Sequence, residues 1–489
     1  MNERCQGLNF NDPKQEIKLN KLTDMFVDDL NQFCNTCPPE STIVDQTRHN
    51  VQLHSDLVFT SGGILALDKC KYYHIDFHFD DDGVSHMFTK DELPSQMQIQ
   101  SALDKVMIEI EHICAHSPHE TLGYVMKPSG KDQELFQIVE GHVNEWITNI
   151  QSSKLFPHEK IMSYHTVLVP QVVYRLVGAS FSYEQCDKLM QRIYPILINA
   201  HGFHRSFSRA MASAPYTYAG LNITHFFDLQ GQYKLKFFLL HMKRNDSTGK
   251  LFKIALRYMQ QSTGLSTPFY NKKFDSYGHL LPHSWLRQLF QYLDSRQVKI
   301  ELTEDITLPQ ARRHDVSIME LLSKHFTKNQ LCIINRYRIF LQVMFISEVT
   351  DINGKHLLPN IKEGKNFRDS KWTWPNQTCP KGHEKLWKRA CHVLQTHLST
   401  NRLGSWKKKT QEWQWKTNHN SSYIIHPNLG CFKLFQARYR SYYIKSNEDA
   451  GKCTFDADAH YNRDKLVLMS KDVKVIPAFV APKDQFKFF

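Results

Sequence analysis

Thr23-Asp24-Met25-Phe26-Val27-Asp28-Asp29-Leu30 is the stretch on which the reading of this chain turns. Met25-Phe26-Val27 has the composition of a short apolar strand, and it runs straight into two carboxylates. Two-metal phosphoryl-transfer chemistry needs such an arrangement, because a turn at a strand end can aim a carboxylate at a pair of divalent ions about 3.5–4 Å apart. Taken alone, an Asp-Asp pair is more often an ordinary surface turn. The weight therefore falls on what surrounds it.

Residues 1–22 read as a polar lead-in. After the Asp pair and a Cys/Pro/Ser loop, the pattern predicts a helix over 47–60, broken by Ser61-Gly62-Gly63. The run 72–79 (YYHIDFHF) followed by Asp82-Gly83 and VSHMF predicts a hairpin, since Asp-Gly between alternating runs suits a two-residue turn. Apolar spacing predicts a helix over 97–115 and a short strand over 121–127, so the first 130 residues are α+β. From 134 onward apolar residues recur every three or four positions. Helices are predicted at 134–151, 159–168, 182–198, 226–242, 249–261, 284–294, 317–326 and 331–346. Residues 350–385, rich in Asn, Gly, Pro and Lys, read as irregular, and 421–445 reads as strands.

In order along the chain stand Phe-Val-Asp-Asp (26–29), Gly62-Gly63-Ile64-Leu65-Ala66-Leu67-Asp68-Lys69-Cys70, Thr121-Leu122-Gly123 and Pro128-Ser129-Gly130. This series resembles motifs C, D and E of a reverse transcriptase palm of the non-LTR retrotransposon type, and most closely the reverse-transcriptase-like open reading frames of diatoms. Ser182-Tyr183-Glu184-Gln185-Cys186 resembles that family's thumb, with further likenesses at Ala214-Pro215, Ala219-Gly220-Leu221, Arg338–Val343 and Trp372-Thr373-Trp374-Pro375. The resemblance spans most of residues 21–420.

The resemblance implies a partial palm at 23–130, a helical thumb at 131–215, a helical extension at 216–349, a linker with a Trp/Lys-rich segment at 350–420 and a small β-rich region at 421–489. It implies RNA-directed DNA synthesis with Mg2+ held by Asp28 and Asp29, Asp28 being the principal ligand. Lys69 would stand where the family places a general acid for the departing pyrophosphate. Two departures, Ala66 where Asn is common and Asp68 at a frequently basic position, put the surroundings of Lys69 in question. Leu122 and Gly123 would belong to the primer grip. The implied partners are an RNA template and DNA primer duplex, with the element's own transcript a candidate template. Motif A and the fingers do not fit before Phe26, so these residues alone are expected to be inactive. The competing reading is a non-catalytic nucleic-acid-binding remnant, and a third is a pseudogene product.

Charge separates the two ends: the formal charge is −12 over residues 1–140 and +24 over 141–489. A basic segment interleaved with Trp suits phosphate-backbone binding and base stacking, which singles out Lys407, Lys408, Trp413 and Trp415, with Lys381–Arg389 beside them. An amphipathic helix with core Trp is the plainer alternative for both stretches. Eleven cysteines without a repeating spacing do not look like a disulfide framework, and no apolar run approaches the ~20 residues of a membrane span. The chain is thus expected in the cytoplasm or nucleus, neither secreted nor membrane-spanning. Cys34-x-x-Cys37 and Cys379 with His383 are zinc half-sites at most. His74, Asp76 and His78 read as a polar strand face, and Asp80-Asp81-Asp82 as a solvated turn. No Gly-rich phosphate loop is present, and no small-molecule cofactor is evident.

Overall fold

The computed structural model describes residues 7–404, except 27–28, 36–40, 122, 131, 311, 351–353, 366–371 and 402, and beyond them the strand backbones 414–418, 421–426, 430–436, 442–445, 461–462 and 465–466. Small sheets with one helix come first and a long helical region follows, an α+β arrangement.

Residues expected to be a lead-in form a hairpin instead, β1 (Leu8–Asn11) against β2 (Lys18–Lys21). A second hairpin follows at once, β3 (Thr23–Phe26) against β4 (Asp29–Gln32). Helix α1 (Ile43–Thr60) starts earlier than its apolar pattern indicates because Thr42 and Asp45 close a capping box: Asp45 N–H donates to Thr42 Oγ1 at 3.1 Å and Thr42 N–H to Asp45 Oδ2 at 3.2 Å. It ends at Ser61, where Gly62 takes a φ of +88°.

β5 (Lys71–Tyr73) follows, then the Asp-Gly hairpin of β6 (Phe77–Phe79) and β7 (Ser85–Met87), as expected. The helix predicted over 97–115 is absent. Those residues are β8 (Met97–Gln100) and β9 (Met107–Ile113), an antiparallel pair to which β5 adds in parallel, giving the order β5-β9-β8. The cause is period-two burial: Met97 and Ile99 face inward while Gln98 and Gln100 face out, and Ile110 and His112 are the buried positions of β9. α1 covers this sheet through Val44 and Val51, packed on Leu67, Met97, Ile99 and Ile110. Gln52 also ties α1 to the end of β8, its amide donating to and accepting from the Gln100 backbone at 3.0 and 2.8 Å. A last hairpin, β10 (His119–Thr121) with β11 (Tyr124–Met126), turns at Gly123, whose φ is +72°.

The helical region opens with α2 (Gln133–Ser152), α3 (Pro157–Ser163) leading through one π turn at Tyr164–Leu168 into α4 (Val169–Leu176), and α5 (Tyr183–Ala200) capped by Ser182 and Gln185. α6 (Arg209–Ser213), α7 (Phe226–Arg244), α8 (Ser247–Thr263), α9 (Phe274–Tyr277) and α10 (Trp285–Ser295) complete one continuous apolar core. A second core gathers α11 (Ile318–Leu322), α12 (Lys328–Phe340), α13 (Pro359–Lys362) and α14 (Glu384–Thr400). α12 is shorter than its periodicity predicts, because Gln342 sits at a φ of +56° and Phe345 bridges back to Ser317. At the end, β12 (Gln414–Asn418), β13 (Ser421–His426), β14 (Gly430–Gln436) and β15 (Tyr442–Lys445) form an antiparallel meander, and β16 (Tyr461–Asn462) pairs with β17 (Lys465–Leu466).

Gly220 is required by close approach. A Cβ there would collide with the backbone carbonyl of Ala214, across a turn in which Gly220 N–H donates to Pro215 O at 3.1 Å. Gly220→Ala is expected to cost about 1–3 kcal/mol, as overpacking of a fixed site does, read as a lowered urea midpoint at unchanged m value.

Candidate functional site

The β3–β4 register pairs Phe26 with Asp29, so Val27 and Asp28 alone connect the two strands. Asp28 itself lies outside the described residues, and of Asp29 the structure gives the backbone, at the start of β4. The hairpin continues the first one directly, with Phe33 N–H donating to Leu22 O at 2.8 Å. Lys69 ends the 3-10 turn Leu67–Lys69 that delivers the chain into β5. Leu67 is buried in the α1 core and anchors this turn, which leaves Lys69 and Asp68 exposed. Among the described strands, β3–β4 is a sheet of two and Lys69 leads into the separate β5-β9-β8 sheet, so no continuous sheet carries both candidates.

Leu122 lies outside the described residues and Gly123 turns the β10–β11 hairpin, with open space where a side chain would stand. Lys407, Lys408 and Trp413 also lie outside them. Trp415 belongs to β12, opposite Ile424. The basic stretch 381–389 resolves in favour of the plainer reading for its ring: Trp387 is 1% exposed, stacked on Tyr337 at 5.1 Å, with its indole N–H donating to Ile361 O at 2.6 Å. Burial of this kind removes it as a base-stacking platform.

Part of the charge asymmetry is spent inside the molecule. Lys381 pairs with Asp81 at 2.8 Å, His383 Nε2 lies 2.7 Å from Asp82 Oδ1, Arg336 donates to Asp82 O at 3.1 Å and Gln377 to Gly83 O at 2.7 Å. The Asp80–Asp82 turn is therefore tied to the second helical core, while its three carboxylates stay exposed, as a solvated turn's do. Asp80 faces inward to its own hairpin, where His86 and Val84 N–H hold its carboxyl below the usual range. The proposed polar face is broken too, because β5 stops at Tyr73 and β6 begins at Phe77, with Asp76 accepting from Phe77 N–H at 2.8 Å. Among the described residues, no group of three or more His, Cys, Asp or Glu side chains is placed to hold a metal ion. Asp28 and the Asp29 side chain lie outside the residues so described, and no chemical step is derived through Mg2+.

Sequence reasoning missed a buried polar cluster between α5, α7 and α10. Lys234 is fully buried, donating to Gln288 Oε1 and to Ser180 Oγ at 3.4 Å, with its ammonium 5.1 Å from the Trp285 ring. Gln230 and Gln288 fix the turn before α5 by donating to Phe181 O at 3.0 and 2.7 Å. The signal was present: Phe227, Gly231, Lys234 and Phe238 lie along one buried row of α7, so the lysine occupies a core position. Burial pulls its pKa down to about 7, from 10.5. Between those values the unfolded chain binds the extra proton, so stability rises with pH from about 7 to about 10.5. Lys234→Met should flatten that rise in urea titrations at pH 7 and pH 9.5.

No family model matches the chain, and no curated protein or solved structure matches it. Among the described residues, no helix is long and apolar enough to cross a membrane.

Proposed function

We propose that this chain carries the later part of the palm, and the thumb, of a reverse transcriptase resembling the non-LTR retrotransposon type, and that it grips an RNA–DNA duplex. The observation that carries the reading is the β3–β4 hairpin, whose register sets Phe26 opposite Asp29, so that one strand ends just before the acidic pair and the next begins within it. Supporting it, in the order the resemblance implies, are α1, the break at Gly62-Gly63, the turn that ends in Lys69, the β10–β11 hairpin at Gly123 and then the helices. Asp28 and Asp29 would be metal ligands only when further ligands complete the site, with Mg2+ supplying charge neutralisation at the transferred phosphate. Lys69 is exposed at the end of its turn, and in this reading it would protonate the leaving group once the two sheets are brought together on substrate.

The second reading, a nucleic-acid-binding remnant without catalysis, draws on the separation of β3–β4 from the β5-β9-β8 sheet. Both readings require duplex binding. The full chain is expected to bind an RNA–DNA hybrid with log K falling linearly in log salt, with a slope of about −0.9 for each phosphate neutralised. Undetectable binding at low salt would remove both.

A further inference from the structure

A cavity of about 350 Å3 opens between the turn before α5 and the length of α10, within the size range of small-ligand pockets. Ser180, Tyr183, Phe227, His283, Arg287 and Arg296 are among its walls, with Glu184 the acidic one. Most of these charges are accounted for. Arg296 is engaged by Asp228 through two bonds of 2.7 and 3.1 Å, and Glu184 stands at the exposed rim, its carboxyl lowered first by its hydrogen bond with Ser182. Arg287 is different. Only its Nε is bonded, to Gly278 O at 3.0 Å, and its guanidinium lies 5.7 Å from the Phe274 ring; its two terminal nitrogens have no hydrogen-bond or ion-pair partner among the described residues.

Immediately behind the wall stands Lys234, held by the wall residues Gln288 and Ser180. Asp132, which accepts from Ser180 N–H at 2.6 Å, is the acid of this cluster and its charge acts on Lys234, so Lys234 is not the group that lacks a counter-charge. The partly desolvated Arg287 guanidinium on the cavity wall has no such acid among the described residues, which is costly. An oxyanion meets that need, because the planar guanidinium fork matches its paired oxygens.

We propose that this cavity binds the phosphate group of a small ligand or of a nucleic-acid backbone, with the free terminal nitrogens of Arg287 as its donors and Tyr183 and Phe227 as its apolar wall. The site stands independently of the polymerase reading, since it rests on the cavity and its unpaired cation. In calorimetric titration of the full chain with inorganic phosphate, chloride holding the ionic strength constant, saturable binding of one phosphate per chain is expected. Arg287→Ala is expected to weaken it at least about tenfold, with Arg287→Lys recovering only part.

A measurement on the unaltered chain guards against a variant that does not fold. Phosphate should protect Arg287 from an arginine-specific dicarbonyl reagent, read by peptide mass spectrometry. Displacement of phosphate by adenosine monophosphate assigns the site to a free phosphate monoester, and displacement by an RNA–DNA hybrid alone assigns it to a backbone phosphate. Absence of saturable phosphate binding, undiminished binding by folded Arg287→Ala, or unprotected Arg287 would overturn the proposal.

Discussion

Arg257→Met is expected to lower the stability of the chain by about 3–5 kcal/mol, the range for removing one member of a buried ion pair. Arg257 Nη1 reaches Asp12 Oδ2 at 2.6 Å and Glu16 Oε2 at 2.8 Å. Asp12 is wholly buried, whereas Glu16 is more than half exposed and contributes little. The loss is large because Asp12 also organises the β1–β2 turn, accepting from Ile17 N–H at 2.7 Å and Lys14 N–H at 3.1 Å. Removing the guanidinium leaves a carboxylate stranded between that turn and α8.

Burial by itself raises the Asp12 pKa, but the bonds from Ile17 N–H, Arg257 and Lys14 N–H outweigh it and leave the carboxyl below its ordinary value. Its stabilising contribution is therefore complete above the unfolded value near 3.8 and is lost as pH falls through the lower folded value. Hydrogen exchange should show the amides of β1 and β2 losing protection in Arg257→Met while α2 and α5 keep theirs. Unchanged protection in the hairpin would contradict the anchoring role.

A loss of about 3 kcal/mol is expected for Arg338→Met. Arg338 is fully buried, and its guanidinium donates to Asn335 Oδ1 (2.8 Å), Val343 O (3.1 Å), Gln261 O (2.6 Å) and Ser262 O (3.0 Å), with its centre 5.5 Å from the Trp374 ring. It joins the end of α8 to α12 and to the turn after it, a polar link between the two helical cores that Asn335 and Ser317 share. Burial draws its pKa down to about 9, with Glu348 opposing the shift. Methionine keeps much of the volume and abandons three acceptors, each costing on the order of 1 kcal/mol when left buried and unpaired, while Ser262 O keeps its bond from Asn335 Nδ2 at 2.8 Å. Lysine should rescue little, since one ammonium cannot span acceptors set for a planar fork. Stability equal to wild type in denaturant titration would show that water replaces the guanidinium and that the two cores do not depend on it.

The residues that announced their structure in sequence did so through local chemistry. Gly62-Gly63 ended α1 and Asp82-Gly83 made the hairpin between β6 and β7, whereas the Thr42–Asp45 capping box that starts α1 at Ile43 was not read. The helices from α2 to α10 followed their apolar spacing because each buries one face in a shared core. What escaped depended on partners far along the chain. Residues 8–21 look polar because their hairpin is held by an ion pair with Arg257 rather than by an apolar face of its own. Residues 97–113 satisfied both a helical and an alternating pattern, and the sheet prevailed because β5 and α1 supply the two surfaces that alternation needs.

The burial of Lys234 showed only in the row of α7 it shares with Phe227 and Phe238, and that of Arg338 left no mark on local sequence. The choice between base stacking and a core ring at Trp387 was settled by Tyr337, which stacks on it. The strand leading into the acidic pair was legible. What surrounds Asp28 and Asp29 was not, because spatial neighbours of a carboxylate leave no mark on local sequence.

The account turns on the β3–β4 turn having a catalytic role in nucleotide addition, and one reconstitution tests it. Residues 1–489 are joined to a polymerase segment that supplies the remaining carboxylate and the nucleotide-holding elements, then given a primed RNA template, deoxynucleoside triphosphates and Mg2+. Primer extension is expected, and Asp28→Asn should depress it by about 1,000-fold or more while hybrid binding stays unchanged, the pattern of a group acting in the transition state alone. Extension by the Asp28→Asn chain at the unaltered rate, or none by a folded assembly that binds both hybrid and Mg2+, would contradict the account.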